Sequence, residues 1–446
     1  MTNSPAASQP IGSPRDLVSY FRKASKPSAD WRLGIEQEKI PVDAGGMPAP
    51  YEGPHGIARL LGLLEERGFV ALKEDGHTIA LERGEERITV EPGGQLELSG
   101  PALVSAAAGH EVLVAHVREV QELAGPLGIR FIAGGFRPFG TIDDVPWLPK
   151  RRYAVMREYL PRRGRLGHEM MKRTATVQAN LDYADEAEAV EKMRAALGVT
   201  SIFTALYSAS PICEGRPNGF KSYRAAVWLD TDEDRCGLLP FVFEPGFGFA
   251  HYVDWALGVP MFFVVRNGVY QPAGGITFRR FLENGWQGER ATMLDWEVHL
   301  STLFPEVRLK RYIEVRGADS APLPFASALG ALWRGLLDDR EARHAAWALV
   351  SDWPYLERLR LRREVPTAGL QARVGGRTLA ELAVELCRIA RAGLGRLPEG
   401  KGDQRLLDPL DEYAAAGRSP ADDMLRDFHA AGGDPRKLVA IWEFKP

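Results

Sequence analysis

Cysteine is the scarcest chemistry-bearing residue in this chain. There are three in 446 residues, Cys213, Cys236 and Cys387, and no two are close in sequence. Thiols so spaced build neither a disulfide framework nor a thiolate zinc site, and a reducing cytoplasm is the expected compartment. Long apolar runs are also missing: nothing approaches the roughly 18 consecutive residues of a membrane span. The opening MTNSPAASQPIGSPRD has no apolar h-region and does not read as a secretory signal. Residues 1–15 are expected to form a flexible arm. Nor does one charge sign dominate, with 56 Lys and Arg against 59 Asp and Glu and a net charge of -3. That balance argues against a nucleic-acid partner held by backbone electrostatics.

Several catalytic signatures are absent. There is no G-x-S-x-G elbow and no dinucleotide G-x-G-x-x-G, and His168-Glu169 is followed by Met-Met-Lys, which supplies no second zinc histidine. The stretch Gly395–Gly402 (GRLPEGKG) fits seven positions of a phosphate loop, but Gly402 stands where a Mg²⁺-binding Ser or Thr is needed. It also follows a helix rather than a strand, and reads as a surface loop.

What the chain does have is alternation. In Ile88–Gly100 (ITVEPGGQLELSG) two alternating runs flank Pro92-Gly93-Gly94, a hairpin signal. Thr89 and Glu91 share a face opposite Ile88 and Val90; Gln95, Glu97 and Ser99 share a face opposite Leu96 and Leu98. Arg32–Asp43 puts Glu36 and Glu38 on one face. Thr174–Asp182 does the same for Gln178 and Asn180, and Arg308–Arg316 for Glu314 and Arg316. Any one of these strands would suit an antiparallel sheet with one side in water. Four together suggest one sheet face rich in carboxylates, whose repulsion calls for metal, arginine or solvent among them. Oxygen ligands of this kind suit Mg²⁺ or Mn²⁺ and nucleotide phosphates, and a guanidinium beside them suits a phosphoryl group in transfer.

Elsewhere the pattern predicts helices at Asp16–Lys23, His55–Arg67, Val104–Ala124, Tyr153–Tyr159 and Glu186–Leu197, the last continued by Thr200–Ala209. Leu238–Phe243 and Pro260–Arg266 read as buried strands, and Pro211–Asp234 as loop-rich. From Ala326 on the chain is helical by apolar spacing. The expected fold class is α+β, an antiparallel sheet with helices on its outer side and a helical C-terminal segment.

Taken together, GIEQEKIPV, ITVEPGGQLELSG, VPWLPKRRYAVMREYLP, RTATVQANLDY, SPICEGRPNGFKSYRAAVW and HLSTLFPEVRLKRYIEVRGAD resemble the plant and proteobacterial glutamate–cysteine ligases, in family order. The resemblance implies a glutamine-synthetase-like sheet forming a funnel, with residues 16–446 as one catalytic unit and 326–446 as its mostly helical part. It implies ATP-dependent joining of L-glutamate to L-cysteine through a γ-glutamyl phosphate, the first step of glutathione synthesis, with Mg²⁺ (or Mn²⁺) as cofactor. By position in the family motifs, Glu36, Glu38, Glu91, Glu97 and Glu314 would be metal ligands, with Gln178 as a further contact. Arg316, beside Glu314, would hold the phosphoryl group. Arg224 would grip the glutamate α-carboxylate, Trp228 would wall that pocket and Asn180 would be a polar contact. The partners expected are the small-molecule substrates, with no nucleic acid or membrane, in a monomer or homodimer. The readings to be tested against this one are a ligase of the same superfamily with another amine acceptor, and a catalytically silent ligand-binding relative.

The chain departs from the plant pattern at the cysteines that the resemblance ties to redox control. The corresponding stretches here read QPAGGITF and PFASALGA, without cysteine. Activity should therefore be equal after full reduction and after mild oxidation. A large reversible loss on reduction would show a thiol switch located elsewhere.

Overall fold

The alternating runs fold as strands of one antiparallel sheet, seen in a computed structural model that describes residues 9–446. Its strands in chain order are β1 (Leu33–Val42), β2 (Val70–Glu74), β3 (His77–Arg83), β4 (Glu86–Val90), β5 (Leu96–Ser99), β6 (Arg130–Ile132), β7 (Thr176–Leu181), β8 (Val307–Leu309) and β9 (Ile313–Asp319). Their spatial order is β8-β9-β7-β1-β5-β4-β3-β2, with β6 paired to the far end of β1. Leu33, Ile35, Ile88, Val90, Leu96, Leu98, Val177, Ala179, Ile313 and Val315 are all buried on one face. That face packs on helices α1 (Ala106–Ala124), α3 (Glu186–Leu206) and α5 (Leu323–Leu337). One further helix, α2 (Arg151–Tyr159), lies on the opposite side of the sheet, over the hairpin.

The central hairpin is held from beneath. Gly94 N donates to Glu91 O at 2.8 Å and closes the turn, with Gly94 at φ +86°. The fully buried Arg137 donates to the carbonyls of Pro41 and Gly93, tying the tip to the end of β1. A Cβ on Gly93 would lie 2.0 Å from the carbonyl oxygen of Lys172, so only glycine admits this approach.

Several expectations change. Arg308–Arg316 is not one strand but the hairpin β8–β9, turned at Lys310–Tyr312 by a hydrogen bond from Lys310 N to Tyr312 O. No glycine or proline marks that turn, and the alternation runs straight through it. The β2–β3 hairpin turns at Asp75-Gly76, both at positive φ, a two-residue signal legible in the sequence but absent from the strands expected there. Leu238–Phe243 contains a 3-10 turn at Pro240–Phe243, since proline has no N–H for a ladder. Pro211–Asp234 contains a short helix, α4 (Tyr223–Trp228), capped by Ser222. Gly395–Gly402 is, as expected, a largely exposed turn, flanked on both sides by helix ends. It leads from α6 (Leu379–Arg396) into Gly400–Asp403, where the buried Asp403 accepts from the N–H groups of Ala106 and Ala107 and so pins the C-terminal helices to α1. Of the expected arm, residues 1–8 lie outside the described residues. Ile11 N donates to Ala291 O at 2.9 Å, so the next stretch is bound to the body.

On the helix-covered face β1 carries a lysine. Lys39 is 1 % exposed, forms no ion pair among the described residues, and its ammonium reaches only Gln37 O at 3.3 Å. Burial pushes it down to about 7, against the opposing pull of Glu97 and Glu38. With the folded value below the unfolded 10.5, the cost of charging it falls on the folded state below about pH 7 and disappears above 10.5. Lys39→Met should therefore raise stability by about 1–3 kcal/mol at pH 6, with the gain shrinking toward pH 10. Thermal melts across that range measure it, and a lower Tm at pH 6 would refute it.

Candidate active site

The face of the sheet turned away from α1, α3 and α5 opens into a cavity of about 830 Å³. Glu36, Glu38, Glu91, Glu97, Gln178, Arg224, Trp228 and Arg316 all line it. Pairing explains the convergence. Across β1–β5 Glu38 faces Glu97 and Glu36 faces Ser99, while across β1–β7 Glu36 faces Gln178. Thr89 on β4 donates to Glu97 at 2.6 Å, and Tyr153 from α2 donates to Glu91 at 3.2 Å.

Between Val315 and Ala318 the β9–β7 register slips, so Arg316 and Gly317 together stand opposite Gln178. A bulge of this kind re-aims a side chain at a sheet's working surface. Here it keeps the Arg316 guanidinium on the cavity side, donating to Gln178 Oε1 and Glu314 Oε2, both at 2.7 Å.

Two residues expected in the site stand behind it. Asn180 does not line the cavity; its Nδ2 donates to Glu36 Oε1 at 2.8 Å, so it orients a carboxylate rather than touching a ligand. Glu314 is fully buried and its oxygens meet Arg308 (2.7 Å), Lys310 (2.8 Å) and Arg316 (2.7 Å). Burial alone would raise its carboxyl, but these three cations outweigh burial and hold it well below the usual range. A carboxylate so compensated has no oxygen left for a metal without giving up an ion pair. In this structure Glu314 anchors three basic side chains.

The cavity also has a basic wall that the strand pattern did not disclose. Lys150 and Arg152 come from the start of α2, and Arg308, Lys310 and Arg311 from the β8–β9 hairpin. The PKRRY run at residues 149–153 was the available signal, but it closes a stretch rich in Pro and Gly that announces no element of its own.

The acidic side is electrostatically tense. Like charges placed directly across a strand pair destabilise it. Burial first, and then the Glu91 charge, push Glu38 up to about 8. Burial, with Glu91, Glu36 and Glu38 around it, also raises Glu97 well above the ordinary range. Among the described residues no three His, Cys, Asp or Glu side chains converge on one metal position. Pairs of carboxylates still suit Mg²⁺, which keeps several waters and takes one or two protein carboxylates plus substrate phosphates.

These signs make opposite predictions for two glutamates. A raised Glu38 favours the folded state below about pH 4.5, an advantage lost as pH rises through about 8. Glu38→Gln should thus stabilise the metal-free protein at pH 8 and leave it unchanged at pH 4. Glu314, held low, contributes above 4.5 and loses that contribution in acid. Glu314→Gln strands three cations and should cost about 3–5 kcal/mol at pH 7. Denaturant melts of both variants decide this, and equal stability of Glu314→Gln and the parent protein would exclude the anchoring role.

A model of glutamate–cysteine ligase family 2 (GCS2) matches residues 32–440. The chain is 42 % identical to a chloroplastic glutamate–cysteine ligase of Brassica juncea, over 94 % of this chain and 81 % of that one. A chloroplastic glutamate–cysteine ligase of Nicotiana tabacum is 41 % identical over 98 % and 83 %. Those relatives are chloroplastic, which overturns the cytoplasmic expectation: scarce free thiols ask for reducing surroundings and do not name a compartment. Among the described residues no helix is long and apolar enough to cross a membrane. The crystal structure of a glutamate–cysteine ligase from Francisella tularensis in complex with AMP shares the fold, with a TM-score of 0.54 and 14 % identity over 92 % of this chain and 87 % of that one. With sequence likeness running nearly end to end and the sheet-walled cavity of the α+β fold in place, this chain belongs to glutamate–cysteine ligase family 2.

Proposed function

We infer that this protein joins the γ-carboxylate of L-glutamate to the α-amine of L-cysteine, driven by ATP, to give γ-glutamylcysteine in the first step of glutathione synthesis. Family membership and the two plant relatives support the reaction. The AMP held by the Francisella enzyme supports an adenine nucleotide as co-substrate.

The chemical problem is that a carboxylate repels nucleophiles and has no leaving group. Transfer of the ATP γ-phosphoryl group to the glutamate γ-carboxylate supplies one, and attack by the cysteine amine then releases phosphate. In a loose phosphoryl-transfer transition state the protein's work is positioning and charge neutralisation. Bound Mg²⁺ (or Mn²⁺), for which Glu36, Glu38, Glu91 and Glu97 are the ligands we propose, would shield the phosphate oxygens. Gln178 would be an outer contact that shares its oxygen with Arg316. Arg316, tethered by Glu314 and Gln178, is aimed to neutralise the transferring phosphoryl group. Lys150, Arg152 and Lys310 add the positive charge a triphosphate requires.

The observation that carries the substrate reading is Arg224. Its side chain is buried and faces the cavity, yet it forms no ion pair among the described residues, and its only hydrogen bond is to the Arg316 carbonyl at 3.0 Å. A buried guanidinium with free donors is matched to an incoming carboxylate, here the α-carboxylate of glutamate, beside the Trp228 ring. Trp228 Nε1 is itself buried without a partner.

Phosphate release with ATP, Mg²⁺ and L-glutamate should depend on L-cysteine and yield γ-glutamylcysteine by mass spectrometry. Arg224→Ala should raise the KM for glutamate about 10- to 100-fold. Turnover that prefers another amine would keep the chemistry and change the product. No turnover with any amine would leave a silent ligand-binding protein.

A further inference from the structure

The Gly134-Gly135 pair takes no part in this chemistry, yet it abuts a buried carboxylate that the mechanism also leaves unused. Asp319 ends β9, three residues beyond Arg316, and is 1 % exposed. A Cβ on Gly135 would lie 2.2 Å from its Cγ, so the space Asp319 occupies exists only because residue 135 is glycine. Asp319 accepts three hydrogen bonds: from Ala209 N at 2.8 Å and Ser210 Oγ at 2.6 Å on one oxygen, and from Ser222 Oγ at 2.8 Å on the other.

Two of those donors hold the first turn of α4. Ser222 Oγ accepts from Ala225 N at 3.0 Å as the helix cap, and Ser210 Oγ accepts from Arg224 N at 3.1 Å. A helix of six residues has little stability of its own, so its orientation is set by what grips its ends. Asp319 and Arg224 form no ion pair with each other among the described residues, which leaves the guanidinium free while its backbone is fixed.

We propose that Asp319 is a positioning residue which, through Ser210 and Ser222, aims Arg224 at the amino-acid carboxylate and so sets affinity for glutamate. The proposal rests on the reading of Arg224 given above. Strand β9 then serves the site twice: it carries Arg316 toward the phosphoryl group, and through Asp319 it places the α4 side chain that holds the substrate's other end.

Steady-state kinetics of the full chain test this with Asp319→Asn, Ser222→Ala, Arg224→Ala and the Asp319→Asn/Arg224→Ala double variant. Asp319→Asn should raise the glutamate KM about tenfold, with kcat and the KM values for ATP and cysteine within about twofold. Ser222→Ala, which removes one link and leaves the carboxylate, should raise the glutamate KM about threefold and keeps the test open should Asp319→Asn not fold. The double variant should be no worse than Arg224→Ala alone, because a residue acting through another has nothing further to lose. Uniform changes in all parameters, an unchanged glutamate KM in Ser222→Ala, or a double variant with multiplied effects would overturn the proposal while Arg224 keeps its role. An unchanged glutamate KM in Arg224→Ala would overturn the glutamate reading and this inference with it.

Discussion

One face of one sheet carries cavity-lining carboxylates too close together to be ionised without compensation, and the rest of the site is arranged around that repulsion. On the β1–β5–β4 side the charges stand unneutralised, with Glu38 across from Glu97 and Glu91 beside them. On the β9 side Glu314 is surrounded by Arg308, Lys310 and Arg316. The first half is suited to divalent cations and the second to anionic oxygens. A nucleotide triphosphate with its metals needs both, side by side.

The fold supports this charge division by spending its apolar residues on the opposite face. Leu33 and Ile35 of β1 pack against α1 and α5, where Gly109 leaves room for Ile35 and Gly330 leaves room for both side chains. Tight packing there gives the strands a fixed platform, so that their polar side chains hold position despite mutual repulsion. The hairpin tip is similarly immobilised by Arg137 and by Gln95, whose amide bonds Gly93 N, Met171 O and Thr174 O. Glu91 and Glu97 thus sit on either side of a turn that cannot shift alone.

Much of the site was legible before any tertiary structure, because a strand's two-residue period directly states which side chains share a face. Glu36 with Glu38, and Glu97 with its neighbours, needed only that rule. The rule failed where a turn kept the alternation going without Gly or Pro, as at Lys310–Tyr312. It also failed where a helix was too short for a 3.6-residue period to show, as at Tyr223–Trp228. Asn180 illustrates a different limit: its face was read correctly, yet its neighbour across β1–β7 lets its amide turn to Glu36 rather than to the cavity.

By itself the sequence determined the strand faces, the α+β class and, through ordered motifs, the family and its ATP-dependent chemistry. These follow from local periodicity and from short contiguous runs, which need no knowledge of what packs where. Only the tertiary structure decided how charges are shared. That Arg224 is left without a carboxylate and that Asp319 grips the helix bearing Arg224 depend on residues more than ninety positions apart, and Glu314 meets its three nearby cations only because a turn folds Arg308 and Lys310 back onto it. Electrostatic compensation is a property of distances in space, and a one-dimensional pattern does not contain them.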